Sequence, residues 1–228
     1  MATARCIIFD ADGVLFDEEN PYLAIASKLG VDVEVRKWVH EYLDEKMKYQ
    51  ELVDKEIELF KSAYQKTYGK RPETGDLERL LPFPEFRKGV EPLFKKLLDN
   101  KKDLYILSSG FMHLTRELTR LKVKQENIYS NRFLYDTNGE FVTMHIDVHA
   151  DKIEAFDTIV KRSDCEGKDF AYIGDNAFDE AVMKHALSLG AQVYLLEEAV
   201  KKFEMKKLPE SENFRKISHL SELNKVLL

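Results

Sequence analysis

Short apolar runs alternate with longer segments of helical periodicity along most of the chain. The runs at 6–9, 104–107 and 170–173 are wholly apolar, which is typical of strands buried on both faces of a parallel sheet. Further short strands are predicted at 128–130, 192–196 and 216–218. Apolar residues recur at helical spacing in the segments that we assign to helices, at 21–29, 33–60, 88–98, 111–121, 152–162 and 179–187. This alternation indicates an α/β protein.

The region between the first two apolar runs is almost entirely helical. It ends in a stretch rich in turn residues at 68–75 and in Pro82 and Pro84. From residue 104 onward strands and helices alternate, as a doubly wound sheet requires. The Asn138-Gly139 pair predicts a hairpin that lies outside this sheet. We therefore predict an α/β fold whose core is a doubly wound, Rossmann-like parallel sheet at 1–17 and 85–228, with an inserted α-helical domain at 18–84.

Composition narrows the function classes. The chain has 228 residues, of which 44% are hydrophobic, and its net charge of −6 favours small-molecule chemistry over capture of nucleic acid or an anionic membrane. No apolar run has the length of a membrane span, and the N-terminus lacks the apolar core of a signal peptide. Cys6 and Cys165 have neither the number nor the spacing of a disulfide framework or a zinc site, which favours a reducing compartment. We expect a cytoplasmic monomer or homodimer with no nucleic-acid or membrane partner.

Polar side chains follow the predicted strands where each one ends. The candidates are the acids Asp10, Asp12, Asp175 and Asp179, the hydroxyl of Ser108, and Lys152 at a helix start. Ser108 or Asp179 alone is explained as a helix cap, and Lys152 alone as a solvated residue. Together they favour a site, because ligands bind outside the carboxyl ends of parallel strands. Carboxylates without histidine or thiolate partners select a hard cation such as Mg²⁺, and Lys152 and Ser108 would bind a phosphate.

These motifs resemble, in order, those of the haloacid dehalogenase superfamily. The matching residues are Asp10-Ala11-Asp12-Gly13-Val14, the strand end at Ser108, Lys152, and Gly174-Asp175-x-x-x-Asp179. The resemblance is greatest to the phosphoserine-phosphatase-like branch. Its motifs are similar to Ser108-Ser109-Gly110-Phe111 and Ser130-Asn131-Arg132-Phe133 here. The inserted segment at 18–84 then corresponds to a mobile cap domain.

The resemblance implies a mechanism. Asp10 is expected to form an aspartyl-phosphate, Asp12 to act as general acid and base, and Ser108 and Lys152 to hold the phosphoryl group. The expected metal ligands are Asp10, Asp12, Asp175 and Asp179. The protein is thus expected to be a Mg²⁺-dependent hydrolase of a small phosphorylated metabolite. The alternatives are a phosphomutase that uses the same aspartyl-phosphate and a non-catalytic binding protein of the same fold.

Substrate contacts are expected from the same resemblance. Ser109 and Gly110 follow Ser108 in its loop, and Glu19 matches an acid that contacts substrate in the phosphoserine-specific enzymes. Those enzymes place an arginine in the cap that pairs with the substrate carboxylate, and Glu56 matches its position here. A glutamate would repel that carboxylate. We therefore expect phosphoserine to be a poor substrate and a neutral or cationic leaving group to be preferred.

Overall fold

The computed structural model of the protein describes residues 4–17, 20–81, 85–111, 115–197 and 210–228. The strands are β1 (Cys6–Phe9), β2 (Asp103–Phe111), β3 (Ile128–Tyr135), β4 (Phe141–His145), β5 (Phe170–Gly174), β6 (Gln192–Leu196) and β7 (Phe214–Ile217). The α-helices are α1 (Pro21–Leu29), α2 (Asp32–Leu43), α3 (Tyr49–Tyr68), α4 (Val90–Asp99), α5 (Thr115–Arg120), α6 (Ile153–Arg162) and α7 (Glu180–Ser188). None of these helices has the length and apolar character that a membrane span needs.

The strands form one seven-stranded sheet in the order β4-β3-β2-β1-β5-β6-β7. β1 pairs in parallel with both β2 and β5, and the β3–β4 pair is antiparallel. Alternate residues of β1 face opposite layers, with Ile7 and Phe9 in a core shared with α4 and Cys6 and Ile8 in a core shared with α6 and α7. The predicted α/β doubly wound fold is confirmed. The chain turns back past β1 to add β5, so the end of β1 lies at the topological switch point where ligands bind.

The helical segment between β1 and α4 has a hydrophobic cluster of its own. Helices α1 to α3 supply most of it, and Leu77, Phe111 of β2, and Phe141 and Met144 of β4 also belong to it. The long periodic segment predicted from residue 33 is two helices, since α2 ends at Leu43 and Glu45 adopts a left-handed φ of 59° before α3 begins. The division into 1–17 with 85–228 and 18–84 stays a prediction.

Two stretches of chain connect the sheet to this helical segment, and Arg87 joins them. Its Nη2 donates to the carbonyl of Gly13 and pairs with Oδ1 of Asp17, both at 2.8 Å. The rings of Phe16 and Phe86 stack beside it with centroids 5.1 Å apart. The outgoing and returning stretches therefore lie side by side.

The predicted hairpin excursion is wrong. β3 runs without a break from Ile128 to Tyr135, pairs in parallel with β2, and carries β4 as the edge strand of the main sheet. The Asn-Gly signal locates a turn but does not indicate which sheet the flanking strands join. β2 is also longer than predicted, because it includes Phe111, which periodicity assigned to a helix.

The disulfide that Cys6 and Cys165 form was not predicted from the sequence. Their Cα atoms lie 6.9 Å apart across a sequence separation of 159. Number and spacing identify the frameworks of small disulfide-rich domains, whereas a single pair brought together by tertiary packing leaves no local signal. The reason for a reducing compartment is thereby removed, and the cytoplasmic location stays a prediction.

Candidate active site

Three buried carboxylates meet where β1 and β5 end. Asp10 follows β1, Asp175 follows β5, and Asp179 lies one turn further on, with one carboxylate oxygen of each within 4.8 Å of the others. The neighbouring strands hold this arrangement, since the backbone N–H of Asp10 donates to the carbonyl of Ile173 at 2.9 Å. This is the carboxylate group expected from the sequence, except for Asp12.

Gly13 allows the close approach of these two strand ends. Its φ is +81°, and a Cβ placed there would lie 2.3 Å from Oδ2 of Asp175. Both the left-handed backbone and the missing space exclude any larger residue without movement of Asp175. The glycine that follows Asp12 in sequence is therefore required by the geometry of the acidic group.

Lys152 is fully enclosed and pairs with two of the acids. Its Nζ lies 2.8 Å from Oδ1 of Asp10 and 2.6 Å from Oδ1 of Asp179. Burial alone would lower the pKa of Lys152, but the charges of Asp10 and Asp179 outweigh it and raise that pKa. Asp179 also accepts from the Tyr172 hydroxyl at 2.6 Å and, through Oδ2, from the backbone N–H of Asp175 at 2.8 Å. Asp179 therefore anchors Lys152 through Oδ1, while its Oδ2 is held by the backbone of Asp175.

The electrostatics of this group favour a bound cation. Burial, followed by the charge of Asp179, raises the pKa of both Asp10 and Asp175. Burial would also raise the pKa of Asp179, but Lys152 outweighs it and lowers that pKa. Within the described ranges, Lys152 is the one cationic side chain that forms an ion pair with any of the three acids. An all-oxygen donor set with excess negative charge fits a hard divalent metal ion.

Ser108 and Asp12 form the opposite wall, at the end of β2. Pairing with β3 is irregular between Leu107 and Phe111, which sets Ser108, Ser109 and Gly110 apart from the regular ladder. The Ser108 hydroxyl donates to Oδ2 of Asp12 at 3.2 Å and accepts from the backbone N–H of Gly110 at 2.9 Å.

The carboxylate of Asp12 is directed toward Ser108 and is not part of the close group of acids. Loss of hydration raises its pKa to about 6, against the hydrogen bond from Ser108 and the charge of Lys152. A carboxyl group with that pKa changes protonation state near neutral pH, which a proton shuttle requires. Gly110 contacts it closely, since a Cβ at Gly110 would lie 2.5 Å from Oδ2 of Asp12.

Asn131 is a buried residue that the site prediction did not include. Its Nδ2 donates to the carbonyls of Ser109, at 2.9 Å, and Val148, at 3.0 Å, and its Oδ1 accepts from the backbone N–H groups of Asp147 and Val148. The Ser109 carbonyl also accepts from the Tyr22 hydroxyl at 3.2 Å. The available signal was its place in the Ser130-Asn131-Arg132-Phe133 motif that carries the resemblance. Asn131 now explains the position of the Ser108 loop.

The two expected cap residues have different outcomes. Glu19 lies outside the described residues. Glu56 lies on α3 with 3% of its surface exposed, and burial raises its pKa well above the usual value. Its charge in turn raises the pKa of the Tyr22 and Tyr49 phenols, after burial as the larger cause. Neither tyrosine was predicted as a site residue.

Comparisons with known proteins agree with this arrangement. Residues 4–186 match the family described as haloacid dehalogenase-like hydrolase. A chloroplastic phosphoserine phosphatase from Arabidopsis thaliana is 26% identical over 144 residues, which cover 61% of this chain and 45% of that protein. The chain therefore spans less than half the length of this relative.

Solved structures share the fold at low sequence identity. A phospho-aspartyl intermediate analogue of phosphoserine phosphatase superimposes with a TM-score of 0.65 at 19% identity, covering 90% of this chain and 95% of that one. A phosphoserine phosphohydrolase-like protein from Francisella tularensis gives a TM-score of 0.66 at 17% identity, covering 98% and 100%. The chain belongs to the haloacid dehalogenase-like hydrolase family.

Proposed function

We propose that the protein is a Mg²⁺-dependent phosphatase that hydrolyses a small phosphorylated metabolite through an aspartyl-phosphate on Asp10. The observation that carries this proposal is the position of Asp10 at the end of β1, paired with Lys152 and close to Asp175, with Ser108 and Asp12 opposite. The similarity of the sequence to a phosphoserine phosphatase, and of the fold to a phospho-aspartyl intermediate analogue of phosphoserine phosphatase, supports the proposal.

Asp10 is the nucleophile in this mechanism. Its Oδ1 accepts from the backbone N–H of Ala11 and pairs with Lys152, both at 2.8 Å. Oδ2 has no donor among the described residues. Oδ2 attacks phosphorus, and the bond from phosphorus to the leaving oxygen breaks while Asp12 donates a proton to that oxygen. Asp12 then takes a proton from water, which attacks phosphorus and breaks the bond to Asp10, so that phosphate leaves and both acids are regenerated.

The remaining residues bind the phosphoryl group and the metal. Lys152 and the Ser108 hydroxyl hold phosphoryl oxygens, and Ser109 and Gly110 contact the substrate from the same loop. Asp10 and Asp175 have the carboxylates best placed to hold Mg²⁺, which would offset the charge between the carboxylates and the phosphate when bound. Of the other expected ligands, Asp179 is engaged with Lys152 and Asp12 with Ser108. We assign Asp179 as the anchor of Lys152 and Asp12 as the proton carrier.

We further propose that residues 18–84 act as a cap over this site. The Tyr42 ring of α2 stacks on Phe178, with centroids 6.0 Å apart, and the Tyr49 ring of α3 lies 5.7 Å from that of His149. Phe178 precedes Asp179, and His149 precedes Lys152 by a single turn. A cap that contacts both of these segments limits the site to small substrates. The cytoplasmic location and the monomeric or homodimeric state stay predictions.

The test is phosphate release from a panel of phosphorylated metabolites, with Mg²⁺ and with EDTA, by the wild type and by Asp10→Asn. We expect the wild type to release phosphate only with Mg²⁺ and Asp10→Asn to release none, because an amide does not attack phosphorus. Transfer of the phosphoryl group to another hydroxyl of the substrate without phosphate release would identify a phosphomutase. Substrate binding without either reaction would identify a binding protein.

A further inference from the structure

Glu56 is a buried carboxyl group with no hydrogen-bonding or ion-pair partner among the described residues. It lies on the face of α3 that packs inward, between Val53 and Ile57 in sequence, with 3% of its surface exposed. Within the part of the chain that the structure describes, no hydrogen bond or ion pair to Glu56 occurs. A buried carboxyl group normally has a hydrogen-bonding or charged partner, because its desolvation is otherwise uncompensated. The partner of Glu56 is therefore expected to be a bound molecule.

Tyr49 supplies a second unsatisfied polar group on the same face. It precedes Glu56 by two helical turns, so that both side chains project from one side of α3. Its hydroxyl oxygen is buried and makes no hydrogen bond of regular geometry within the described residues. The Glu56 charge acts on the phenols of both Tyr49 and Tyr22, which places the three groups near one another.

This group adjoins the expected position of the leaving group. The Tyr22 hydroxyl donates to the carbonyl of Ser109, next to Ser108, whose hydroxyl donates to Asp12. The start of α1 also lies near Asp12, on the other side of Gly110. A Cβ at Gly110 would lie 2.5 Å from Oδ2 of Asp12 and 3.1 Å from Cγ of Pro21. Asp12 protonates the leaving oxygen in the proposed mechanism. The rest of the leaving group therefore extends toward Tyr22, Tyr49 and Glu56.

We infer that Glu56, Tyr22 and Tyr49 form a subsite for an ammonium group, so that the substrates are phosphate monoesters of amino alcohols. A carboxylate forms strong, charge-assisted hydrogen bonds with an ammonium group, and electron-rich phenol rings also attract a cation. Binding of the ammonium group favours the ionised form of Glu56, whereas a leaving group that carries a carboxylate gains no such pairing. This inference rests on the proposed phosphatase function, because it assigns the leaving group of that reaction.

Paired substrates test the inference directly. Phosphoethanolamine and ethylene glycol phosphate differ only by an ammonium group in place of a hydroxyl group. We expect kcat/KM to favour phosphoethanolamine by roughly tenfold or more in the wild type. The ratio should fall toward unity in Glu56→Gln and decrease in Tyr49→Phe, which removes only the hydroxyl. Glu58→Gln is the matched control, because Glu58 is exposed on the same helix, and it should keep the wild-type ratio. Equal kcat/KM values in the wild type, or a preference that survives Glu56→Gln, would overturn the inference.

A binding measurement separates this inference from the proposed function. Calorimetry would compare 2-aminoethylphosphonate with propylphosphonate, which are not hydrolysed, on the wild type and on Glu56→Gln. Tighter binding of the aminophosphonate that requires Glu56 supports the subsite even if no phosphate ester is hydrolysed, in which case only the phosphatase proposal fails. Equal affinity for the two phosphonates, or binding of neither, overturns the subsite even if the protein proves to be a phosphatase.

Discussion

Replacing Glu56 with glutamine should make the free energy of unfolding less dependent on pH. In the unfolded chain Glu56 ionises near the ordinary glutamate pKa of 4.5, whereas burial holds it protonated to a much higher pH in the folded protein. Above pH 4.5 the folded state therefore binds more protons than the unfolded state, and the wild type loses stability as pH rises. The loss from this group is about 1.4 kcal/mol per pH unit until the folded-state pKa is reached.

Urea unfolding at several pH values between about 4.5 and 7 measures this difference. If Glu56 stays protonated throughout, the free energy of unfolding of the wild type should fall by up to about 3 kcal/mol relative to Glu56→Gln over that window. The glutamine amide itself costs about 1–3 kcal/mol in this apolar setting, but that cost does not vary with pH. Contributions from Asp10 and Asp175 are common to both proteins and cancel. Glu58→Gln controls for the loss of a surface carboxylate, and parallel pH profiles for the wild type and Glu56→Gln would refute the reasoning.

Three further predictions concern the sheet and its site. Asp12→Asn should slow the hydrolysis of alkyl phosphates more than that of p-nitrophenyl phosphate, since the more basic alkoxide depends more on a general acid, and equal losses in steady-state assays would contradict this role. Lys152→Met should lower the free energy of urea unfolding by about 3–5 kcal/mol, because it leaves buried carboxylates unpaired. Lys168→Met, which breaks an exposed ion pair with Glu166, should leave the free energy of unfolding almost unchanged. Equal losses for these two lysine variants would exclude a structural role for the buried pairs. The disulfide closes a sequence separation of 159, so that reduction should lower the free energy of unfolding by up to about 5 kcal/mol. Thiol titration of the denatured, unreduced protein should find no free cysteine, and detection of both thiols would contradict the pairing.

The sequence predicted the centre of the sheet well, for local reasons. The strand at 6–9 is apolar on both faces because it packs between two helical layers, and Asp10 follows where that burial ends. Because parallel strands end at a common edge, the acids after 9 and 174 were expected to meet, and the structure brings Asp10 and Asp175 together. Periodicity also predicted α1 with its observed bounds, since Gly30 adopts a left-handed φ of 70° and ends the helix.

Features set by tertiary packing were beyond sequence patterns. Lys152 and Asp179, which pair, lie 27 positions apart in the sequence. The backbone at Lys152 is also left-handed, which the sequence pattern does not indicate. The alignment of Tyr49 with Glu56 on one face of α3 is visible in the spacing, but their burial beside Tyr22 depends on how α1 and α3 pack. The hydrogen bonds of Asn131 depend on the continuation of β3 beside β2, whereas the sequence predicted a short strand that ended at residue 130.

The contacts of the Arg87 guanidinium suggest where the helical segment could be exchanged for another. Arg87 lies on the returning stretch of chain, and its guanidinium bonds to Gly13 and Asp17 of the outgoing stretch, beside the stacked rings of Phe16 and Phe86. The chain before and after the inserted segment is thus held together at one junction. A different helical segment grafted between Asp17 and Arg87 would join the sheet at the same two neighbouring points, with Asp10 and Lys152 left in place. The proposed catalytic residues and the proposed cap would then be exchangeable as separate modules.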